Sequence, residues 1–262
     1  MNKNCSIINK CNPELHSNKK SVSIIKKAMF ATIVLLSGSI TLQAQQGAIY
    51  PKDLVNQSGD HFLIQLGGLA WMNNPDSIRT KFSSRSFNVY FMWNIPFKTN
   101  PKFSVSIGAG VGSDNMFFDK IQPDVKGGSP TLRFIDKSNT DHFKKFKLVT
   151  TYLEAPVELR FTSNTNNVHK AIKIAIGAKV GLLLNAHTKG KTLEAASGET
   201  INSYTEKTTS SRYFNGTRFS GTFRIGYGVF SVFTTYQLSP FFKSGAGPDV
   251  KPFTIGLTLS GL

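Results

Sequence analysis

The chain has 262 residues and a formal net charge of +16, yet only 18% of its residues are charged, against about a quarter in a typical soluble domain. That combination argues against a disordered chain, which needs few apolar residues and dense like charge, and against a nucleic-acid binder, whose bases gather on one face. No stretch of 18 apolar residues occurs, so no helical membrane span is expected.

The first segment reads as an address. Lys3, Lys10, Lys19, Lys20, Lys26 and Lys27 precede the uncharged run Ala28–Ile40, and Thr41-Leu42-Gln43-Ala44 follows. A basic leader, a short apolar core and a small residue at the cut describe a secretory signal peptide, here residues 1–44 with cleavage after about Ala44. Cleavage would remove six lysines and one glutamate, taking the net charge from +16 to +11, together with both cysteines, Cys5 and Cys11. Residues 45–262 would then be the mature domain, exported and free of disulfides.

That domain alternates with a period of two. In Phe103–Gly112 the residues Phe103, Val105, Ile107, Ala109 and Val111 share one face, and Ser104, Ser106, Gly108, Gly110 and Gly112 share the other. The same rhythm predicts eight strands, near 62–71, 85–96, 102–113, 143–161, 170–187, 213–226, 229–238 and 251–260. The gaps 72–84, 114–142, 188–212 and 239–250 are long, whereas 97–101, 162–169 and 227–228 are short. Antiparallel neighbours put the long gaps at one end and the short ones at the other, which is the asymmetry of an outer-membrane barrel with short periplasmic turns. The expected fold is all-β: a closed, eight-stranded, antiparallel, up-and-down transmembrane barrel in the outer membrane.

Alternation alone leaves the direction of the apolar face open, and a periplasmic lipocalin-like binding barrel would turn it inward. Small residues on the polar faces and strands long enough for the ≈ 9–11 tilted residues of a bilayer crossing favour lipid outside. Aromatics at segment ends suggest two interfacial girdles, with Trp71 at the long-loop end and Trp93, Phe161 and Tyr227 at the other. Five aliphatic–glycine pairs, from Leu66-Gly67 to Ile255-Gly256, would place the aliphatic outward and the glycine inward.

The polar faces then collect Glu154, Glu158, Arg160, Lys173, Lys179, Arg218 and Arg224 in the lumen. Eight strands leave an interior just wide enough to be filled by side chains, and buried charge must be paired, so a lumenal ion network that plugs the barrel is expected. A small gated channel is the competing reading. An outer-leaflet lipid-modifying enzyme is another, drawn from His142 with Asp141 or His187 with loop serines. The histidines show no metal-ligand spacing, and neither a Gly-x-Ser-x-Gly nor a His-Glu-x-x-His motif occurs. No catalytic residue, cofactor or metal is expected. Loops 114–142 and 188–212 read as solvated, mixed-charge segments.

The segment Tyr152-Leu153-Glu154-Ala155-Pro156-Val157-Glu158-Leu159-Arg160-Phe161 resembles the Tyr-Leu-Glu-[Ile/Leu]-Pro-x-x-Leu-[Lys/Arg]-[Tyr/Phe] segment of PorT-like outer-membrane β-barrel proteins of Bacteroidetes. Ile176–Gly181 and the Ala-Gln-Gln at the end of the leader fit the same pattern, and the similarity covers about residues 45–262. The expected function is that of a non-enzymatic structural or accessory protein; the resemblance implies an outer-membrane location and a link to type IX-like secretion. Its partners would be outer-membrane lipid, the barrel-assembly machinery and secretion or envelope proteins, with no nucleic acid. Pro156 has no N–H for a ladder, so a bulge or pairing break is expected there.

Overall fold

In a computed structural model the described residues are 61–165 and 167–261; the expected signal peptide and both cysteines lie outside them. In chain order the strands are β1 (Phe62–Met72), β2 (Arg85–Pro96), β3 (Phe103–Phe118), β4 (Ile121–Asp124), β5 (Arg133–Asp136), β6 (His142–Thr162), β7 (Ile172–Glu194), β8 (Thr200–Thr209), β9 (Thr217–Tyr227), β10 (Phe230–Gln237) and β11 (Lys251–Ser260).

Eight of them form a ring. β1 pairs with β2, β2 with β3, β3 with β6, β6 with β7, β7 with β9, β9 with β10 and β10 with β11, all antiparallel. β11 returns to β1 over Leu63↔Ser260 to Met72↔Lys251 and closes the barrel. Closure leaves no unpaired strand edge facing lipid. The shortest connection between ring strands is the turn between β9 and β10, where Gly228 has φ +61 and an added Cβ would stand 2.5 Å from the His169 carbonyl oxygen.

The ring coincides with the eight expected strands, but two gaps read as loops contain further strands. β4 and β5 pair as a hairpin within 114–142, and β8 pairs with β7 over His187 to Glu194. The reason is length. β6 has 21 residues and β7 has 23, well beyond the ≈ 9–11 a bilayer crossing uses. β7 pairs with β9 through Leu182 and with β8 from His187 onward. A register shift against β6 at Thr151/Tyr152 falls where β7 exchanges one partner for the other.

The faces are inside-out relative to a soluble barrel. Leu66, Ile107, Ile176, Ile225 and Ile255 all point outward and are exposed, while the glycine after each faces its neighbours closely, as Gly108 faces Met92. Ser106, Thr258, Asn88 and Glu154 are buried inside. This is opposite to the lipocalin-like alternative.

Pro156 interrupts one ladder only. β6 and β7 stay in continuous register through Pro156↔Lys179. Against β3 the pairing lapses between Ile107↔Val157 and Gly110↔Glu154. The break therefore lies on the β3 edge, and no residue is inserted.

Candidate functional site

The lumenal side chains form two layers. Glu154, on β6, is the centre of the layer nearer the long loops. Its Oε1 accepts from Arg218 Nε at 2.7 Å and Nη2 at 2.6 Å, and its Oε2 accepts from Lys179 Nζ at 3.2 Å and from the Tyr90 hydroxyl. Lys179 Nζ also donates to Tyr90 Oη at 3.1 Å. Arg218 Nη1 reaches Asp114 Oδ2 at 2.5 Å, and its guanidinium lies 3.9 Å from the centre of the Tyr152 ring. Two acids meet two bases, so the layer is neutral.

Backbone geometry places these groups together. Gly181 on β7 pairs with both Glu154 and Arg218 on its two neighbours, and Gly112 on β3 pairs with Tyr152. A Cβ on Gly112 would stand 2.7 Å from Glu154 Oε2, and one on Gly181 would stand 2.9 Å from Arg218 Cγ. Both glycines make room for the ion pair.

The layer toward the short turns centres on Glu158. Glu158 Oε2 accepts from Arg160 Nε at 2.8 Å and Arg224 Nη2 at 3.0 Å. Lys173 is buried at the same end, opposite Thr162 on β6 and Gly226 on β9. Arg160 and Arg224 thus share Glu158, and Arg224 Nε and Nη1 have no hydrogen-bond partner among the described residues.

Above the ion pairs the lumen becomes apolar. Trp71, Met116, Phe118, Leu148, Phe214, Phe241 and Phe242 form one buried cluster with Ile121, Val125 and Leu132 from the β4–β5 segment. Trp71 stands 5.3 Å from Phe241 and 5.6 Å from Phe118, centre to centre. The Tyr213 hydroxyl donates to the carbonyls of Gly127 at 2.7 Å and Ser129 at 2.9 Å, and Leu132 N–H donates to the Ala246 carbonyl at 2.8 Å. These bonds fasten the β4–β5 segment over the barrel end.

Residues 56–244 match the family model described as "Outer membrane protein beta-barrel domain". The chain belongs to this family of outer-membrane β-barrel proteins. The match ends before β11, whose pairing with β1 closes the ring. No curated protein matches the sequence. Among solved structures, Ail, the attachment invasion locus protein of Yersinia pestis, is similar at 12% identity over 76% of this chain and 94% of that chain, with a TM-score of 0.33.

In this outer-membrane barrel Trp71 is not at the lipid interface. It is 6% exposed and lies within the apolar cluster, because it shares the inward parity of Leu63, Gln65, Gly67 and Leu69. Phe118, Tyr213, Phe214, Phe241 and Phe242 turn inward with it. At the opposite end Trp93 and Tyr227 are exposed, and Phe161 packs on Phe103 at 5.2 Å. Within the family segment, Tyr152 and Glu154 face the lumen and Leu153 faces outward. The histidines considered for hydrolase chemistry have other neighbours: His142 Nδ1 is 3.0 Å from the Thr140 carbonyl, and His187 Nδ1 is 3.0 Å from Asn185 Oδ1.

Sequence reasoning missed Asp114, Tyr90 and the whole apolar cap. The signal was present. Asp114, Met116 and Phe118 continue the inward parity of Ser104 to Gly112, so the strand, and not a loop, carries them.

Proposed function

We propose that the protein is a sealed, non-enzymatic barrel with a structural or accessory role in the outer membrane. The observation that carries this reading is the filled lumen: a neutral ion layer around Glu154 lies beneath an apolar cap around Trp71. Water and ions crossing such an interior would have to displace both paired charge and packed aromatic rings. Trp93, Phe161 and Tyr227 would serve as the aromatic girdle of the short-turn end.

The PorT-like segment Tyr152 to Phe161 adds a link to protein secretion of the type IX kind, through envelope proteins as partners. The barrel-assembly machinery would insert it, a reading that rests on its being an outer-membrane barrel. The test has two arms. In planar bilayers the purified protein should pass no ion current above the lipid background; stable unitary conductance would replace the sealed barrel with a channel. Deletion of the gene should reduce secreted cargo while leaving general envelope permeability unchanged. A permeability defect with normal secretion would remove the secretion role.

A further inference from the structure

The part of β6, β7 and β8 beyond the lipid-facing band carries a ladder of like charge on its outward face. Lys147 on β6 stands opposite Lys189 on β7, which stands opposite Lys207 on β8; one step further, Lys145 stands opposite Lys191. Toward the membrane the same face presents His187 on β7 and, across β3, Arg85 beside Phe117. The Phe117 ring centre is 5.5 Å from both Arg85 Cζ and Lys147 Nζ.

Like charges directly opposite one another destabilise a sheet, and among the described residues no acid pairs with these. Glu206 lies on the inner face with Thr188 and Gly190, and Glu194 is paired with Lys144 at 2.9 Å. Among the described residues no ion pair involves Arg85, Lys145, Lys147, Lys189, Lys191 or Lys207. Burial, and then repulsion from Lys189 and Arg85, lowers the basicity of Lys147, and burial with Lys207, Lys147 and Lys189 lowers that of His187.

Position says what meets this face. Arg85 is one outward step from Phe87, which belongs to the exposed apolar band, and Lys147 is six residues from Leu153 on β6. Six residues are about 20 Å of strand, which a tilt of about 45° reduces to about 14 Å along the membrane normal. The ladder therefore begins at the lipid boundary and climbs through the depth of a large headgroup. A concavity of ≈ 360 Å³ opens beside it, lined by Lys81, Arg85, Phe117, Lys144 and Lys145 among others.

We propose that this face binds the phosphate groups of an outer-leaflet glycolipid, with Lys147, Lys189 and Lys207 as the central cations and Arg85 at the acyl boundary. It rests on the long-loop end facing outward, as in outer-membrane barrels generally. The bound phosphates supply the counter-charge that the protein lacks there.

The test uses the full protein in detergent, titrated with an acylated disaccharide lipid bearing two phosphates, with the same lipid after phosphate removal, and with inorganic phosphate. Binding is read by native mass spectrometry. The diphosphorylated lipid should bind, and the triple variant Lys147→Gln, Lys189→Gln, Lys207→Gln should weaken it on the order of a hundredfold, since each base near an anionic surface contributes about fivefold. A Lys→Arg triple variant should retain binding. Unboiled gel mobility checks that each variant keeps a closed barrel and so separates failure of this site from failure of the fold. Equal affinity for the dephosphorylated lipid, or an unchanged affinity in the folded Gln variant, would overturn the proposal. Equally tight binding of inorganic phosphate alone would overturn the lipid as the occupant.

Discussion

Glu154 holds three donor side chains at once, Tyr90, Lys179 and Arg218. Removing one member of such a buried set leaves the others charged without a partner, a loss of about 3–5 kcal/mol. Glu154→Gln should therefore lower the urea midpoint of the detergent-folded barrel far more than Leu153→Ala, whose side chain faces outward. Equal midpoints would show that the ion layer does not hold the fold. The second layer predicts an asymmetry. Glu158 accepts from both Arg160 and Arg224, so Glu158→Gln, which weakens two buried ion pairs, should destabilise more than Arg224→Met, which removes one of them together with two nitrogens that find no partner among the described residues. At the surface, the Ser138 hydroxyl and backbone N–H, with Arg79, hold the Asp136 carboxyl below the ordinary carboxylate range. A depressed folded value means the contribution is full above the unfolded value and is lost as pH falls through the folded one. The protection factor of the Ser138 amide, its exchange rate relative to the unfolded peptide at the same pH, should therefore hold from neutral pH through the ordinary carboxylate range and fall only below it; loss of protection already near pH 6 would contradict this.

At the scale of elements, the eight ring strands were legible because alternation with a period of two is a local signal, and both the bilayer and the lumen enforce it over every strand. Phe103–Gly112 and Ile172–Leu182 could be read residue by residue. What lay beyond the bilayer was less legible. β3, β6 and β7 continue past the lipid band, where both faces meet polar surroundings or cap and the outward face no longer needs apolar residues. Asp114 therefore falls in the expected 114–142 loop although it lies on β3 and faces Arg218. Trp71 was misplaced for a related reason: composition shows an aromatic at a strand end, and only parity shows which way it points. The correction makes a prediction. Trp71 packs among Phe118, Phe241 and Phe242, so Trp71→Ala should cost about 3–5 kcal/mol. Trp93→Ala, on an exposed ring, should cost clearly less. Comparable losses in thermal unfolding would return Trp71 to the interface.

For the whole molecule, stability and impermeability have the same physical source. A barrel of eight strands encloses too little space for water and side chains together, so the charges that the lumen carries must find one another, and the aromatic cap must exclude solvent from them. Opening the path should then require losing both layers of obstruction. Trp71→Ala alone leaves the Glu154–Arg218–Lys179 set in place, and Glu154→Gln alone leaves the cap in place. Each single variant should remain silent in a planar bilayer, whereas a variant combining Trp71→Ala with Glu154→Gln and Arg218→Gln should show small cation or anion currents if it still runs as a compact, heat-modifiable band. A conducting single variant would locate the seal in one layer. A compact but silent combined variant would mean that the layer around Glu158, Arg160 and Arg224 closes the barrel by itself.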